Sequence, residues 1–202
     1  MIQIYHVTNT RGIRPIWLCE ELGIEYSITK IDFSQAFRRQ PEWRAMNPVG
    51  KVPVLEDGDL RMFESGAMVE YILARYGEGR LLPEPSSETF AHYLQWTWFG
   101  EATLSRPLGE IVNHRREFPG DLEIPEVVAE MGNRAGECLL AIGDAVENQQ
   151  FICGDEFTAA DIMLGYGLHL AEMLVPEKIP EKLQPYWTSL KHRPGFQIAR
   201  NA

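Results

Sequence analysis

The 202-residue sequence contains no Gly-rich nucleotide fingerprint, no P-loop, and neither an HExxH nor a CxxC spacing. Phosphate cradling by a glycine loop and the common zinc arrangements therefore have no carrier. The five histidines are scattered, so no metal site is expected. Cysteine is sparse, at positions Cys19, Cys138 and Cys153. An odd count without a secretory pattern fits a reducing cytoplasm better than a disulfide framework. No apolar run reaches the roughly 18 residues that a membrane span needs. The N-terminus shows no basic segment followed by an apolar stretch, so no signal peptide is expected. Positive charge is also short: 19 Lys and Arg face 29 Asp and Glu, a net charge of −10. That balance argues against a nucleic-acid partner, which demands phosphate-neutralising charge.

What remains is a chain with 45% hydrophobic residues, enough for one large core or two small ones. Its charge is uneven. Residues 1–80 carry 10 Lys/Arg and 11 Asp/Glu, whereas residues 81–202 carry 9 and 18. The near-neutral first part clusters Arg11, Arg14, Arg38, Arg39 and Arg44, which suggests two domains with a small anionic ligand on the first.

Hydrophobic periodicity divides the chain at the same place. IQIYHV (2–7) alternates as a strand. Ile13, Ile16, Trp17, Cys19 and Leu22 then recur at helical spacing up to Gly23, with Pro15 suited to the first turn. A second strand is expected over 25–32, and a short helix or loop over 34–46. Residues 52–63 form a hairpin around Asp57-Gly58, and 64–77 a helix. The first strand–helix–strand unit implies a parallel pair. A Pro- and Ser-rich linker occupies 78–88, after which strand signals cease. Helices are expected over 89–113, kinked at Pro107, then over 125–147, 158–175 and 180–192. His114-Arg115-Arg116 reads as a solvated helix end.

Two short stretches have both a structural and a functional reading. Val52-Pro53 leads into a strand although proline cannot donate to a ladder. It is either an edge-strand proline or a cis bond that leaves the Val52 backbone free to pair with an extended peptide. Glu64-Ser65 sits at a helix start. Ser65 either caps the helix or, with the exposed N–H groups, binds a carboxylate while Glu64 neutralises a neighbouring ammonium.

The pattern Asn47-Pro-x-Gly-Lys-Val-Pro-x-Leu55 followed by Glu64-Ser-Gly-Ala67 resembles the glutathione transferase family, and the resemblance spans essentially the whole chain. Phe157-Thr-Ala-Ala-Asp161-Ile162 is similar to the family's helix-capping signature, a capping box in physical terms. Arg193-Pro-Gly-Phe196 is similar to its C-terminal ending. The resemblance implies a thioredoxin-like domain over 1–80 and an all-helical domain over 81–202. It implies glutathione as co-substrate: Val52 pairing with its cysteinyl unit beside a cis Pro53, and Glu64 and Ser65 holding the γ-glutamyl head. Lys51, and Arg38 or Arg39, would reach the glycyl carboxylate. Trp98, Phe99 and Leu104 would wall the pocket of a hydrophobic electrophile. Glu101 would reach the γ-glutamyl ammonium across a homodimer.

Catalysis by this family needs the thiolate, and a free thiol with pKa about 8.5 is little ionised at neutral pH. Counting back from Arg14, the serine-type position falls on Thr10, and a gap-free bacterial alignment gives the same residue. The tyrosine-type position falls near Val7 or Thr8, which does not support that mechanism. Thr10 is thus the catalytic candidate, a departure from serine or cysteine. Its hydroxyl either faces the sulfur or caps the helix, with Thr8 and Asn9 as neighbouring donors. Tyr5, a match to a tyrosine of cysteine-type members, reads as core. The implied activity is conjugation of glutathione to a hydrophobic electrophile. A glutathione-dependent disulfide reductase or peroxidase, and a non-catalytic binding or regulatory protein of the same fold, are the alternatives.

Overall fold

The alternation of Ile2, Ile4 and His6 puts these three side chains on the buried face of the first strand, β1 (Ile2–His6), with Gln3 and Tyr5 on the other. β1 is the inner partner of a four-stranded sheet in the order β2-β1-β3-β4. It runs parallel to β2 (Tyr26–Lys30) and antiparallel to β3 (Val54–Asp57), which forms a hairpin with β4 (Leu60–Phe63). The computed structural model describes residues Met1–Ala202. In it the chain forms two units, Met1–Arg80 with His192–Ala202, and Leu81–Lys191. The first is thioredoxin-like and the second all-helical.

Between β1 and β2 lies α1 (Ile13–Leu22), which ends at Gly23 in the left-handed conformation (φ 66°). Its apolar stripe of Ile13, Ile16, Trp17 and Leu18 is fully buried. Each such side chain contributes on the order of 2 kcal/mol. The segment 34–46 holds two short helices, α2 (Gln35–Arg38) and α3 (Pro41–Met46). Ser34 caps the first and Pro41 opens the second. Helix α4 (Ser65–Tyr76) follows β4 and buries Met68, Val69 and Ile72.

The sequence reading assigns 192–202 to the helical part, but these residues return to the first unit. There α10 (Pro194–Asn201) lies against α1. Phe196 packs against Trp17 with the rings tilted by 59° and their centroids 5.0 Å apart, and Arg193 pairs with Glu21 at 2.6 Å. Gly195 is required at this crossing, because a Cβ would sit 2.9 Å from Trp17.

In the second unit the long helix expected over 89–113 is in three pieces. These are α5 (Glu88–Trp98), a π-helical turn over Phe99–Leu104, and α6 (Ser105–Glu117). Pro107 has no N–H for the Thr103 carbonyl, and its ring would crowd that carbonyl in a regular α-helix. The widened turn relieves the crowding. The Cys138 thiol approaches the Thr103 oxygen at 3.9 Å, and Ser105 Oγ donates to the Gly100 carbonyl at 2.7 Å. Then come α7 (Pro125–Ala145), α8 (Ala159–Leu174) and α9 (Gln184–Lys191). No helix is long and apolar enough to cross a membrane.

Helix α8 starts at Thr158, whose side chain and Asp161 close a reciprocal capping box. Asp161 is completely buried. Its Oδ1 accepts from the Ile152 N–H at 2.9 Å and the Tyr186 hydroxyl at 2.7 Å. Its Oδ2 accepts from the Thr158 N–H at 2.8 Å and the Thr158 hydroxyl at 3.1 Å. Burial holds the Asp161 pKa above the ordinary carboxylate value, and these bonds offset only part of that rise.

Candidate functional site

Strand register alone brings the sequence motifs of the first unit to one end of the sheet. Tyr5 pairs with Val54 and Val54 pairs with Phe63. The end of β1, the start of β3 and the end of β4 are therefore side by side. The polar junction 7–12, the Val52-Pro53 step and Glu64-Ser65 all extend from that edge. Loops off a sheet end, backed by helices, are a common place for ligands in α/β structures.

The Val52-Pro53 peptide bond is cis, and Pro53 is buried while Val52 is half-buried. The preceding loop is held by Arg44, which donates to the Arg38 carbonyl at 2.8 Å and the Pro48 carbonyl at 2.6 Å. Asn47 adds a bond from its amide to the Lys51 carbonyl at 3.0 Å. Gly50 has a φ of 63°, and a Cβ there would sit 2.6 Å from the Arg38 carbonyl. Lys51 and Arg39 are exposed, and the Arg38 guanidinium lies 4.9 Å from the centre of the Phe33 ring.

Ser65 does not cap α4. It is the first helical residue and 2% exposed, whereas Glu64 occupies the cap position with a φ of 75° and no side-chain capping bond. Glu64 is exposed. A positive φ in a non-glycine residue costs on the order of 1 kcal/mol. It turns the chain so that α4 opens directly on the sheet edge. From the other side, Arg14 Nη1 donates to Ser65 Oγ at 3.0 Å.

At the β1–α1 junction the Thr10 hydroxyl does not cap α1, whose cap residue is Gly12 with no side-chain bond. The hydroxyl turns back and donates to the Val7 carbonyl at 2.6 Å, which also receives the Thr10 N–H at 3.2 Å. Behind it, 3.4 Å away, is His6 Nδ1. Thr8 donates to the Ala202 carbonyl at 2.7 Å, and Asn9 is exposed with a φ of 63°. Tyr5 is half-buried and donates to Glu56 at 2.8 Å, so it is an edge contact more than core.

The sequence reading does not single out His6 or explain Gly12. The imidazole is fully buried, and a Cβ on Gly12 would fall on its Nδ1. The Ile-x-Ile-x-His alternation was the available signal. Burial first, then the Lys30 charge, lowers the His6 pKa from 6.5 to about 4, with the Ala202 carbonyl opposing. The unfolded chain thus binds a proton near pH 6.5 that the folded chain refuses until about pH 4. Stability from this group is complete above the unfolded value and is lost as pH falls through that window, at about 1.4 kcal/mol per pH unit at most. Urea unfolding between those limits should show this slope in the wild type and lose it in His6→Phe. An equal slope in both would remove His6 as its source.

The cysteines are poor nucleophiles. Burial pushes Cys19 up to about 12 and Cys153 up to about 11, and also raises Cys138. In the helical unit Trp98 is 65% exposed, and Phe99 and Glu101 are half-buried on the π-helical turn. Leu104 is a correction. It is fully buried, and Gly167 is glycine because a Cβ there would fall on the Leu104 side chain, so it has no surface to offer a ligand.

Sheet order, motif placement and the helical second unit together define the class, and comparison with known proteins agrees. Residues 2–74 match the family model described as glutathione S-transferase, N-terminal domain. The chain is 30% identical over 206 residues to glutathione S-transferase 1 of Triticum aestivum, covering 95% of this chain and 90% of that protein. It is 26% identical over 215 residues to glutathione S-transferase 3 of Schizosaccharomyces pombe, covering 98% and 86%. Among solved structures, the theta class glutathione S-transferase of Xanthomonas axonopodis pv. citri, with glutathione bound, is 28% identical. It superimposes with a TM-score of 0.85 over 100% of this chain and 97% of that one. The chain belongs to the glutathione S-transferase family.

Proposed function

We propose that this protein binds glutathione at the sheet edge formed by Val52-Pro53, Glu64-Ser65 and the 7–12 junction. There it activates the thiol for attack on a hydrophobic electrophile. The observation that carries the reading is the start of α4. A buried serine hydroxyl, the first-turn N–H groups and an exposed carboxylate stand side by side. That set suits a group bearing both a carboxylate and an ammonium, as the γ-glutamyl head does. Val52 offers its backbone to the cysteinyl unit, and Lys51 with Arg38 or Arg39 draws the glycyl carboxylate. The Thr10 hydroxyl turns its proton from the Val7 carbonyl to the sulfur as the thiolate forms. Trp98 and Phe99 supply apolar surface for the electrophile, and Glu101 acts across a cytoplasmic homodimer.

The Thr10–Val7 hydrogen bond lends weight to a second reading, a protein that binds glutathione without activating it. The ultraviolet absorbance of the thiolate of bound glutathione, followed from about pH 5 to 9, separates the two. Activation predicts a titration at about pH 6–7, in the range of perturbed thiols. A bound thiol that titrates at its free value selects the binding protein. A mixed disulfide offered beside a chloro-nitroarene separates the reductase alternative.

A further inference from the structure

Arg14 occupies a place that ordinary helix electrostatics disfavours. It stands in the first turn of α1, the positive end of the helix dipole, and is completely buried among Ile13, Pro15, Ile16 and Trp17. Its guanidinium reaches across to α4 and donates to Ser65 Oγ at 3.0 Å. A serine hydroxyl has one proton and two lone pairs, and an arginine has no lone pair at all. The guanidinium therefore fills one acceptor site on Ser65 and is unable to take the hydroxyl proton. No protein group accepts that proton. Ser65 is 2% exposed, so the proton has little water to turn to.

We propose that Arg14 is a positioning residue for ligand recognition: it holds the Ser65 hydroxyl with its proton aimed at the α-carboxylate of the γ-glutamyl group. This rests on the glutathione reading above. The same guanidinium places a fixed positive charge behind the start of α4, where the helix already favours an anion. A charge-assisted bond to a carboxylate is roughly twice as strong as a neutral one, and its strength depends on the donor being aimed beforehand. Without Arg14, Ser65 regains rotational freedom and the site loses a buried cation.

The test compares glutathione with γ-aminobutyryl-cysteinylglycine, which differs only in lacking the α-carboxylate. Both are titrated calorimetrically into wild type, Ser65→Ala, Arg14→Met and the double variant, with circular dichroism confirming the fold of each. Wild type should prefer glutathione by roughly 10–100-fold, the range of one charge-assisted bond. Each single variant should reduce that preference to about threefold or less, and the double variant should go no further. A general loss of packing would weaken both ligands alike and leave the ratio standing. Should Arg14→Met fail to fold, Arg14→Gln decides, since it fills similar volume without the charge. A folded Arg14 variant with the wild-type ratio, beside a Ser65→Ala variant that has lost it, overturns the proposal alone. Single-variant effects that multiply in the double variant overturn it too. A wild type that binds neither ligand overturns the glutathione reading and this proposal with it.

Discussion

Thr10→Ala should lower turnover with a chloro-nitroarene by about 10²–10³-fold, the usual cost of removing one donor to a developing negative charge. Glutathione affinity should stay within about threefold, because the hydroxyl is asked to stabilise sulfur charge and not to hold the peptide. The structure adds a condition. The Thr10 proton sits on the Val7 carbonyl at 2.6 Å. A thiolate is a charged acceptor and competes well with a neutral carbonyl. Rotation about the Cβ–Oγ bond redirects a hydroxyl proton without requiring the stiff χ1 of a β-branched side chain to change. Thr10→Ser should therefore retain most activity. Equal turnover in wild type and Thr10→Ala would end the role assigned to Thr10 and shift attention to Asn9 and Thr8.

A comparable loss, in stability this time, is expected at Asp161. Asp161→Ala strands the Ile152 and Thr158 N–H groups and the Tyr186 hydroxyl inside the helical unit. Each buried donor left without a partner costs about 1–3 kcal/mol, so a total near 4 kcal/mol is expected after partial relaxation. Urea unfolding followed by tryptophan fluorescence reads the change. A loss under about 1 kcal/mol would show that these donors find other acceptors. Asp161 also ties the 151–154 turn, the start of α8 and α9 to one side chain. The damage should therefore spread across the helical unit.

Much of the architecture was legible in the sequence because it follows from periodicity. The strand at 2–7, the hairpin around Asp57-Gly58 and the helices at 64–77 and 125–147 lie within a few residues of the observed elements. The split at residue 80 shows as a change of period and of charge. Pro107 announces a break in this helix, but the π-helical form of the break did not show, because part of its setting is long-range. A Cβ on Gly100 would sit 3.1 Å from the Met163 backbone, and Pro107 frees a carbonyl that α7 then meets. Helix α10 did not show either, since eight residues are too short a window to establish a period.

At the candidate site, the motifs were readable but the wiring was not. Thr10, Glu64 and Ser65 stand out by motif. Only coordinates reveal that Thr10 points to Val7, that Glu64 and not Ser65 takes the cap position, and that Arg14 braces Ser65. A basic residue inside the stripe Ile13–Trp17 was the clue for Arg14.

The return of α10 to α1 also has a meaning for synthesis. The first unit is begun by the opening 80 residues and finished only by residues 192–202. At 5–20 residues per second the ribosome needs roughly ten seconds to make what lies between. During that interval the face of Trp17 that Phe196 later covers is bare on the nascent chain. The order of translation thus separates Trp17 in time from the ring that covers it.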